Sequence, residues 1–280
     1  MHPRNRHQKH YDFDALTKIR PELKGMLLRT PRGDDSIDFS SPVAVKLLNQ
    51  ALLNHFYGIN WDVPENFLCP PVPGRSDYVH HLADLLGEKK HARVLDIGVG
   101  ANCIYPIIGV CEYSWDFVDS DINPAALKVG LALVASNPPL QGKVELRLQE
   151  KDFIFRGIVK PGEFFDLTMC NPPFYASAEE AQSETLRKWK NLGKKVGSSK
   201  NFGGQNAELW VKGGEKAFIG KMIAESSEIK TQCGWFTSFV SKEDHLPYFK
   251  QMLSSKKAEI RVIDLSRAMK KTRILCWRFT

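Results

Sequence analysis

The run Phe164-Phe165-Asp166-Leu167-Thr168-Met169-Cys170, followed at once by Asn171-Pro172-Pro173-Phe174, constrains this chain more than any other stretch. The apolar run reads as a buried strand. Two consecutive prolines then remove two backbone donors and fix φ twice, so the chain can neither continue as a central strand nor enter a helix there. What remains is a rigid corner holding an Asn amide, a backbone carbonyl and an aromatic face in one arrangement. Such a corner suits a planar, amino-bearing group. On these residues alone, a proline-rich strand exit with a core Phe174 accounts for them equally well.

A second strand exit lies upstream, in Arg93-Val94-Leu95-Asp96-Ile97-Gly98-Val99-Gly100-Ala101. Val94 to Ile97 is a short apolar strand, and the two glycines let the chain turn tightly and approach a ligand closely. The dinucleotide fingerprint calls for a third glycine where this chain has Cys103, which disfavours a nicotinamide or flavin. Asp96, at the strand end, suits a ligand with a positive amino group better than a pyrophosphate. The next apolar run, Trp115 to Val118, ends in Asp119-Ser120-Asp121, near the ~20-residue offset at which an acid reaches ribose hydroxyls. Strand, glycine turn, helix and acid-ended strand make a nucleoside-binding half-fold. Combined with the diproline corner, they favour S-adenosylmethionine as cofactor.

Around these motifs, strands at 92–97, 115–121, 144–148, 164–170, 233–240, 258–263 and 273–279 alternate with helices. The helices fall at 102–112, from Pro124 to before Asn137, over Ala217–Ile223 and at 243–255. This alternation predicts an α/β fold with a doubly wound, mostly parallel, seven-stranded sheet. Residues 1–70 read as a basic, RNA-binding N-terminal helical extension, and 71–280 as the main domain. Within the extension, helices are expected over Leu16–Leu28 and from Pro42, capped by Ser40 or Ser41, to Tyr57-Gly58. A further helix through Tyr78 and Leu82 ends at Gly87. The irregular stretch 175–212, directly after the corner, is long enough to predict a substrate-gating loop.

The net charge of +7 is modest but unevenly placed. Residues 1–32 carry Arg4, Arg6, Lys9, Lys18, Arg20, Lys24, Arg29 and Arg32 against three acids. Residues 186–200 carry Arg187, Lys188, Lys190, Lys194, Lys195 and Lys200 with none, and Lys270-Lys271-Thr272-Arg273 adds a third cluster. One such run is usually a solvated face; three favour a polyanionic partner. Arg4, Arg6, Lys9, Lys188, Lys190, Lys194 and Lys195 are the candidate contacts. Trp189, Phe202 and Trp210 suit either stacking on unpaired bases or anchoring in a core. The six cysteines lack a Cys-x-x-Cys pair, which predicts reduced thiols in a cytoplasmic chain rather than zinc or disulfides. The histidines show no metal-ligand spacing, and His80-His81 reads as a helix-surface pair. No run approaches the ~18 apolar residues of a membrane span, and the N-terminus has no secretory h-region.

These motifs resemble class I methyltransferases that act on exocyclic amino groups, whose [Asn/Asp/Ser]-Pro-Pro-[Phe/Tyr/Trp] turn matches Asn171-Pro172-Pro173-Phe174. More closely, the chain resembles the RlmF family of ribosomal RNA adenine-N6 methyltransferases. The resemblance covers His2-Pro3-Arg4-Asn5-Arg6, Arg75 and Tyr78, Asp96-Ile97-Gly98 with Gly100-Ala101, Cys103-Ile104-Tyr105-Pro106, Cys170 to Phe174, and Gly213-Gly214-Glu215. It implies a Rossmann-like class I fold, S-adenosylmethionine as cofactor, and one adenine of 23S ribosomal RNA as substrate. Carried over by position, it assigns Arg75, Gly98 and Asp121 to the cofactor. Asn102 stands where some relatives have Ser, and Asp152 aligns beside the cofactor adenine. With Asp96, Gly100 and Asn171 these form the expected cofactor set, and Asn171 to Phe174 the catalytic one. Two rivals stand beside this reading. A protein-glutamine methyltransferase grips an amide with the same turn, usually ending in Tyr. A non-catalytic RNA-binding protein keeping the fold has no physical need of the intact Asp96, Gly98, Gly100 and Asn171–Phe174 set.

Overall fold

The alternating segments join into one twisted sheet. The computed structural model describes residues 1–8, 10–87, 89–177, 179–180, 210–267 and 270–279. The main sheet holds β3 (Arg93–Ile97), β4 (Asp116–Asp121), β5 (Val144–Leu148), β6 (Phe165–Cys170), β7 (Cys233–Val240), β8 (Ala258–Arg267) and β9 (Lys270–Phe279). Its order is β5-β4-β3-β6-β7-β9-β8. Strands β3 to β7 pair in parallel, while β9 runs antiparallel between β7 and β8. This is the Rossmann-like class I methyltransferase architecture expected of the sequence.

Helices α1 (Phe13–Ile19), α2 (Pro42–Tyr57), α3 (Val72–Leu85), α4 (Ile104–Tyr113), α5 (Pro124–Ser136), α6 (Gly214–Ser226) and α7 (Leu246–Ser255) surround the sheet. Local chemistry sets their ends. Ser41 Oγ accepts from Ala44 N at 3.3 Å, Pro42 opens α2, and Gly58 closes it at φ 67°. Asn123 caps α5 in the same way, ahead of Pro124.

The expected helix over Leu16–Leu28 is corrected to three pieces. Arg20, preceding Pro21, sits at φ −128°, ψ 89°, which ends α1. A 3-10 helix then spans Pro21–Met26, and Leu27–Arg29 forms β1, paired antiparallel with β2 (Asp35–Ile37). The hairpin turns at Gly33, φ 86°, whose N–H donates to Thr30 O at 2.9 Å. Its signal was present as Thr30-Pro31-Arg32-Gly33-Asp34, a proline–glycine turn between short strands. Most of the stretch expected to gate the substrate, 181–209, lies outside the described residues.

The N-terminal segment is built into the fold's core. Phe13, Leu16, Leu23, Leu48 and Leu52 bury in one cluster with Val94, Phe117, Leu167 and Met169 from the sheet. The opposite sheet face, with Leu95, Ile97, Val118 and Phe165, packs on Ile219, Met222, Ile223, Phe249 and Leu253 of α6 and α7. On β3 and β4 the residues alternate between the faces as the strand pleat requires, Val94 and Phe117 on one side, Leu95, Ile97 and Val118 on the other. Contact is closest where α4 crosses β4: a Cβ built on Gly109 would stand 2.5 Å from Phe117 Cζ. Gly109→Ala therefore overpacks this layer. It is expected to cost about 1–3 kcal/mol despite better helix propensity, read as a Tm several degrees lower in thermal melts.

Candidate active site

The chain winds from β3 outward to β4 and β5, then returns to add β6 and β7 on the other side of β3. The sheet order therefore reverses between β3 and β6, and a crevice opens at the carboxyl ends of these strands, where ligands of such folds bind. A cavity of about 500 Å³ lies there, lined by Arg75, Gly98, Gly100, Asn102, Asp121 and Asn171 among others. Its size suits a nucleoside-sized ligand. Six residues of the expected cofactor set, scattered over nearly a hundred positions, thus meet at one site.

The turn after β3 is preorganised. Gly98 and Gly100 hold positive φ, 77° and 64°. Gly98 N and Val99 N donate to Ser120 O at 2.8 and 3.1 Å, tying the turn to the end of β4. Gly100 N and Asn123 N donate to the two carboxylate oxygens of Asp121, each at 2.8 Å. Burial holds the Asp121 carboxyl above its ordinary value, and the surrounding backbone N–H groups oppose that rise without cancelling it. Each oxygen keeps a lone pair for a diol. Cys103, in place of the third glycine, adopts the left-handed region at φ 47° and is fully buried.

Asp96 is corrected from a direct contact to a group beneath the floor. It is 1% exposed and does not line the cavity; Ile97 and Gly98, just after it, do. Its register partner on β4 is Asp119, so the two side chains share a sheet face. Both carboxyls are buried, and among the described residues none of their four oxygens has a well-formed hydrogen bond. Burial raises both pKa values. The neighbouring Asp121 raises Asp96 further while Arg75 opposes it, and Asp96 in turn raises Asp119.

The exit of β6 is held by side chains. The β6–β7 ladder pairs Phe165 with Cys233 and Leu167 with Trp235. Beyond it, Thr237 N donates to Thr168 Oγ1 at 3.3 Å, and Thr237 Oγ1 to Thr168 O at 2.8 Å. The fully buried Tyr78 hydroxyl contacts Thr237 Oγ1 at 2.8 Å and takes the Cys170 N–H at 3.3 Å. The last strand residue before Asn171 is therefore pinned from α3. Asn171 lines the cavity, and its Oδ1 is shielded from solvent with no partner. Pro173 also lines it; Pro172 is buried behind, and Phe174 is half-buried outside the lining. Arg75, also in the lining, donates from Nη1 to Tyr105 OH at 2.8 Å, its guanidinium 5.6 Å from the Tyr105 ring and 5.9 Å from that of Phe239.

Other expectations are redirected. Asp152 faces solvent, its carboxylate paired with Lys221, and Gln149, Phe153 and Ile154 line the wall instead. Asn102 lines the cavity, but its Oδ1 accepts from Ile104 N at 3.1 Å and so caps α4. Arg4 and Arg6, expected to meet RNA, are committed within the chain. Arg4 reaches Tyr113 OH at 3.0 Å and pairs with Asp84; Arg6 reaches Glu112 at 2.9 Å and Phe56 O at 3.3 Å. Lys9, Lys188, Lys190, Lys194 and Lys195 lie outside the described residues. His80 is buried rather than a surface residue, its Nδ1 2.6 Å from Tyr113 OH. Nearby, His2, His81 and Asp84 bring ligand atoms within 4.8 Å of one another. Both ring nitrogens of His2 are already engaged, Nε2 with Asp84 Oδ2 at 2.8 Å and Nδ1 with Arg4 N at 3.2 Å. Among the described residues no helix is long and apolar enough to cross a membrane. Lining residues missed in the sequence, such as Ile122 and Phe153, carry no motif and only proximity in the fold marks them; Trp210, read from the sequence as a stacking or core residue, lines the cavity too.

Comparison with known proteins agrees with this geometry. A family profile described as RNA methyltransferase matches residues 1–280. The ribosomal RNA large subunit methyltransferase F of Yersinia enterocolitica is 51% identical, over 100% of this chain and 88% of the relative. That of Pectobacterium carotovorum is 50% identical, over 100% and 93%. The human Mettl16 catalytic domain, solved in complex with the MAT2A 3′UTR hairpin 1, superposes with a TM-score of 0.87 at 28% identity, over 100% of this chain and 96% of that one.

The buried acid pair makes stability depend on pH. Both folded pKa values are raised, so the native state keeps protons that the unfolded chain releases near pH ~4. That contribution is complete below the unfolded value and is lost as pH rises through the folded ones. Asp119→Asn is expected to raise Tm at neutral pH and to flatten the fall of Tm toward alkaline pH, in melts run across the pH range.

Proposed function

The chain belongs to the RNA methyltransferase family, and from that premise we propose that it moves a methyl group from S-adenosylmethionine to N6 of one adenine in 23S ribosomal RNA. One observation carries the reading. The amide of Asn171, its Oδ1 unpaired, lines the same cavity as the glycine turn and the prearranged Asp121 carboxylate. A methyl donor and a methyl acceptor therefore have adjoining places.

The residues fit the cofactor. The Gly98–Gly100 turn admits close approach, Asp121 faces a ribose diol, and the Arg75 guanidinium offers a counter-charge for an amino-acid carboxylate. When bound, S-adenosylmethionine supplies an activated methyl on a sulfonium.

An adenine N6 is a weak nucleophile because its lone pair is delocalised into the ring. Asn171 Oδ1 and the Pro172 carbonyl accept its two N–H bonds, which draws N6 toward tetrahedral geometry and aims the lone pair at the methyl. The lone pair forms the N–C bond as the C–S bond breaks, and the surplus proton leaves N6 for solvent. Positioning supplies most of the acceleration, so no general base is called for. Phe174, beside the cavity, stacks on the extruded base, a contact worth about 1–3 kcal/mol. Residues 1–70 take the RNA side of the enzyme through exposed cations such as Arg32 and Lys24, rather than through Arg4 and Arg6. The work is placed in the cytoplasm, and the remaining basic positions, Lys9, Lys188, Lys190, Lys194 and Lys195, are assigned to the RNA.

Nucleoside mass spectrometry of 23S ribosomal RNA, from cells with and without this protein, is expected to lose one N6-methyladenosine in its absence. Unchanged RNA together with methyl transfer to a release-factor glutamine would overturn the reading. Asn171→Ala is expected to lower kcat by about a hundredfold or more, with Kd for S-adenosylmethionine within about threefold of wild type by titration calorimetry.

A further inference from the structure

Asn171 Oδ1 is not alone in lacking a partner at this cavity. Trp210 lines it too, half-buried, and its indole Nε1–H is shielded from solvent with no acceptor. An indole N–H normally finds a partner when buried, and leaving it without one is unfavourable. Backbone contacts hold Trp210 and the residues that follow it. Trp210 bridges to Tyr175, Val211 N donates to Tyr175 O at 3.0 Å, and Gly214 N to Val211 O at 2.8 Å. A Cβ on Gly214, itself at φ 62°, would stand 3.3 Å from Ala176 N. The returning chain is thus laid against the residues just after the diproline corner, which brings Trp210 to the Asn171 side of the cavity.

An unmet acceptor and an unmet donor on one cavity complement a ligand edge carrying a donor beside an acceptor. Adenine has that pattern on both edges that include N6, because its amino group is flanked by N1 and by N7. Guanine reverses the exocyclic group to an acceptor and, on its N1 side, places a second donor against the indole.

We propose that Trp210 determines specificity: its Nε1–H donates to the ring nitrogen beside N6 of the target adenine, while Asn171 Oδ1 accepts from N6. This rests on the N6 reading above. Base entry satisfies both orphaned groups at once. It requires the cavity wall to yield slightly, since neither atom reaches solvent in the closed site. A site built to hydrogen-bond a ligand atom rejects an analogue lacking that atom by large factors, because its own buried group is left unpaired.

The test uses full-length 23S ribosomal RNA assembled by splinted ligation, with adenosine, 1-deazaadenosine or 7-deazaadenosine at the mapped target. The wild-type enzyme is expected to methylate one of the two analogues about a hundredfold more slowly than adenosine. In Trp210→Phe that ratio should collapse to within about threefold, with Kd for S-adenosylmethionine unchanged. Any intrinsic change in N6 reactivity is common to both enzymes and cancels in the comparison. The proposal fails if wild type accepts both analogues within about threefold of adenosine, a result independent of how the variant folds. It fails equally if Trp210→Phe keeps the wild-type ratio. Failure of the underlying N6 reading looks different: the wild-type enzyme then makes no N6-methyladenosine on unmodified RNA.

Discussion

The hydroxyl of Tyr78 closes a gap that the sheet cannot close by itself. Where β6 and β7 stop exchanging backbone hydrogen bonds, the ends of both strands would carry unmet polar groups inside a dry core. Thr168, Thr237 and Tyr78 supply the missing bonds, and in doing so fix Cys170 to α3. The diproline corner begins at the next residue. Its rigidity is useful only because its root is immobile: two fixed φ angles transmit position faithfully from a strand end that is itself held. Arg75, one turn earlier on α3, lines the cavity, so a single helix both pins the root of the corner and supplies a cation to the site.

Much of this arrangement was legible in the residues, for identifiable reasons. Strand and helix periods, proline starts and glycine stops placed the main sheet and α2 to α7 closely. The two glycine and proline motifs mark strand ends, and in a doubly wound sheet strand ends converge, so Gly98, Asp121 and Asn171 were bound to meet. What failed was inference from charge. Arg4 and Arg6 look like an RNA arm in one dimension, but Asp84, Glu112 and Tyr113, far along the chain, claim them. Asp152 failed for the opposite reason: beside a correctly placed wall, its own side chain turns outward to Lys221. Trp210 was legible only as a stacking or core residue; its unpaired Nε1–H is something that packing alone reveals.

Asp96 and Asp119 are the place where local rules and fold disagree. A hydrophobic pair on adjoining strands would pack there at less cost, since two carboxyls without partners oppose each other and their own burial. Such violations concentrate where a protein binds or reacts. Asp96 lies directly under the glycine turn, so the strain sits at the floor of the cavity rather than at random in the core.

The N-terminal helices carry one more implication. Leu16 and Leu23 share a cluster with Met169, Ile274 and Cys276, residues that leave the ribosome much later. Yet α1 and the 3-10 helix after it pack directly on α2, so the first helices shelter one another soon after Tyr57 is made. The wider core they share with the last strand closes only when synthesis is nearly over, which leaves the earliest-made portion as a preformed layer waiting for its sheet.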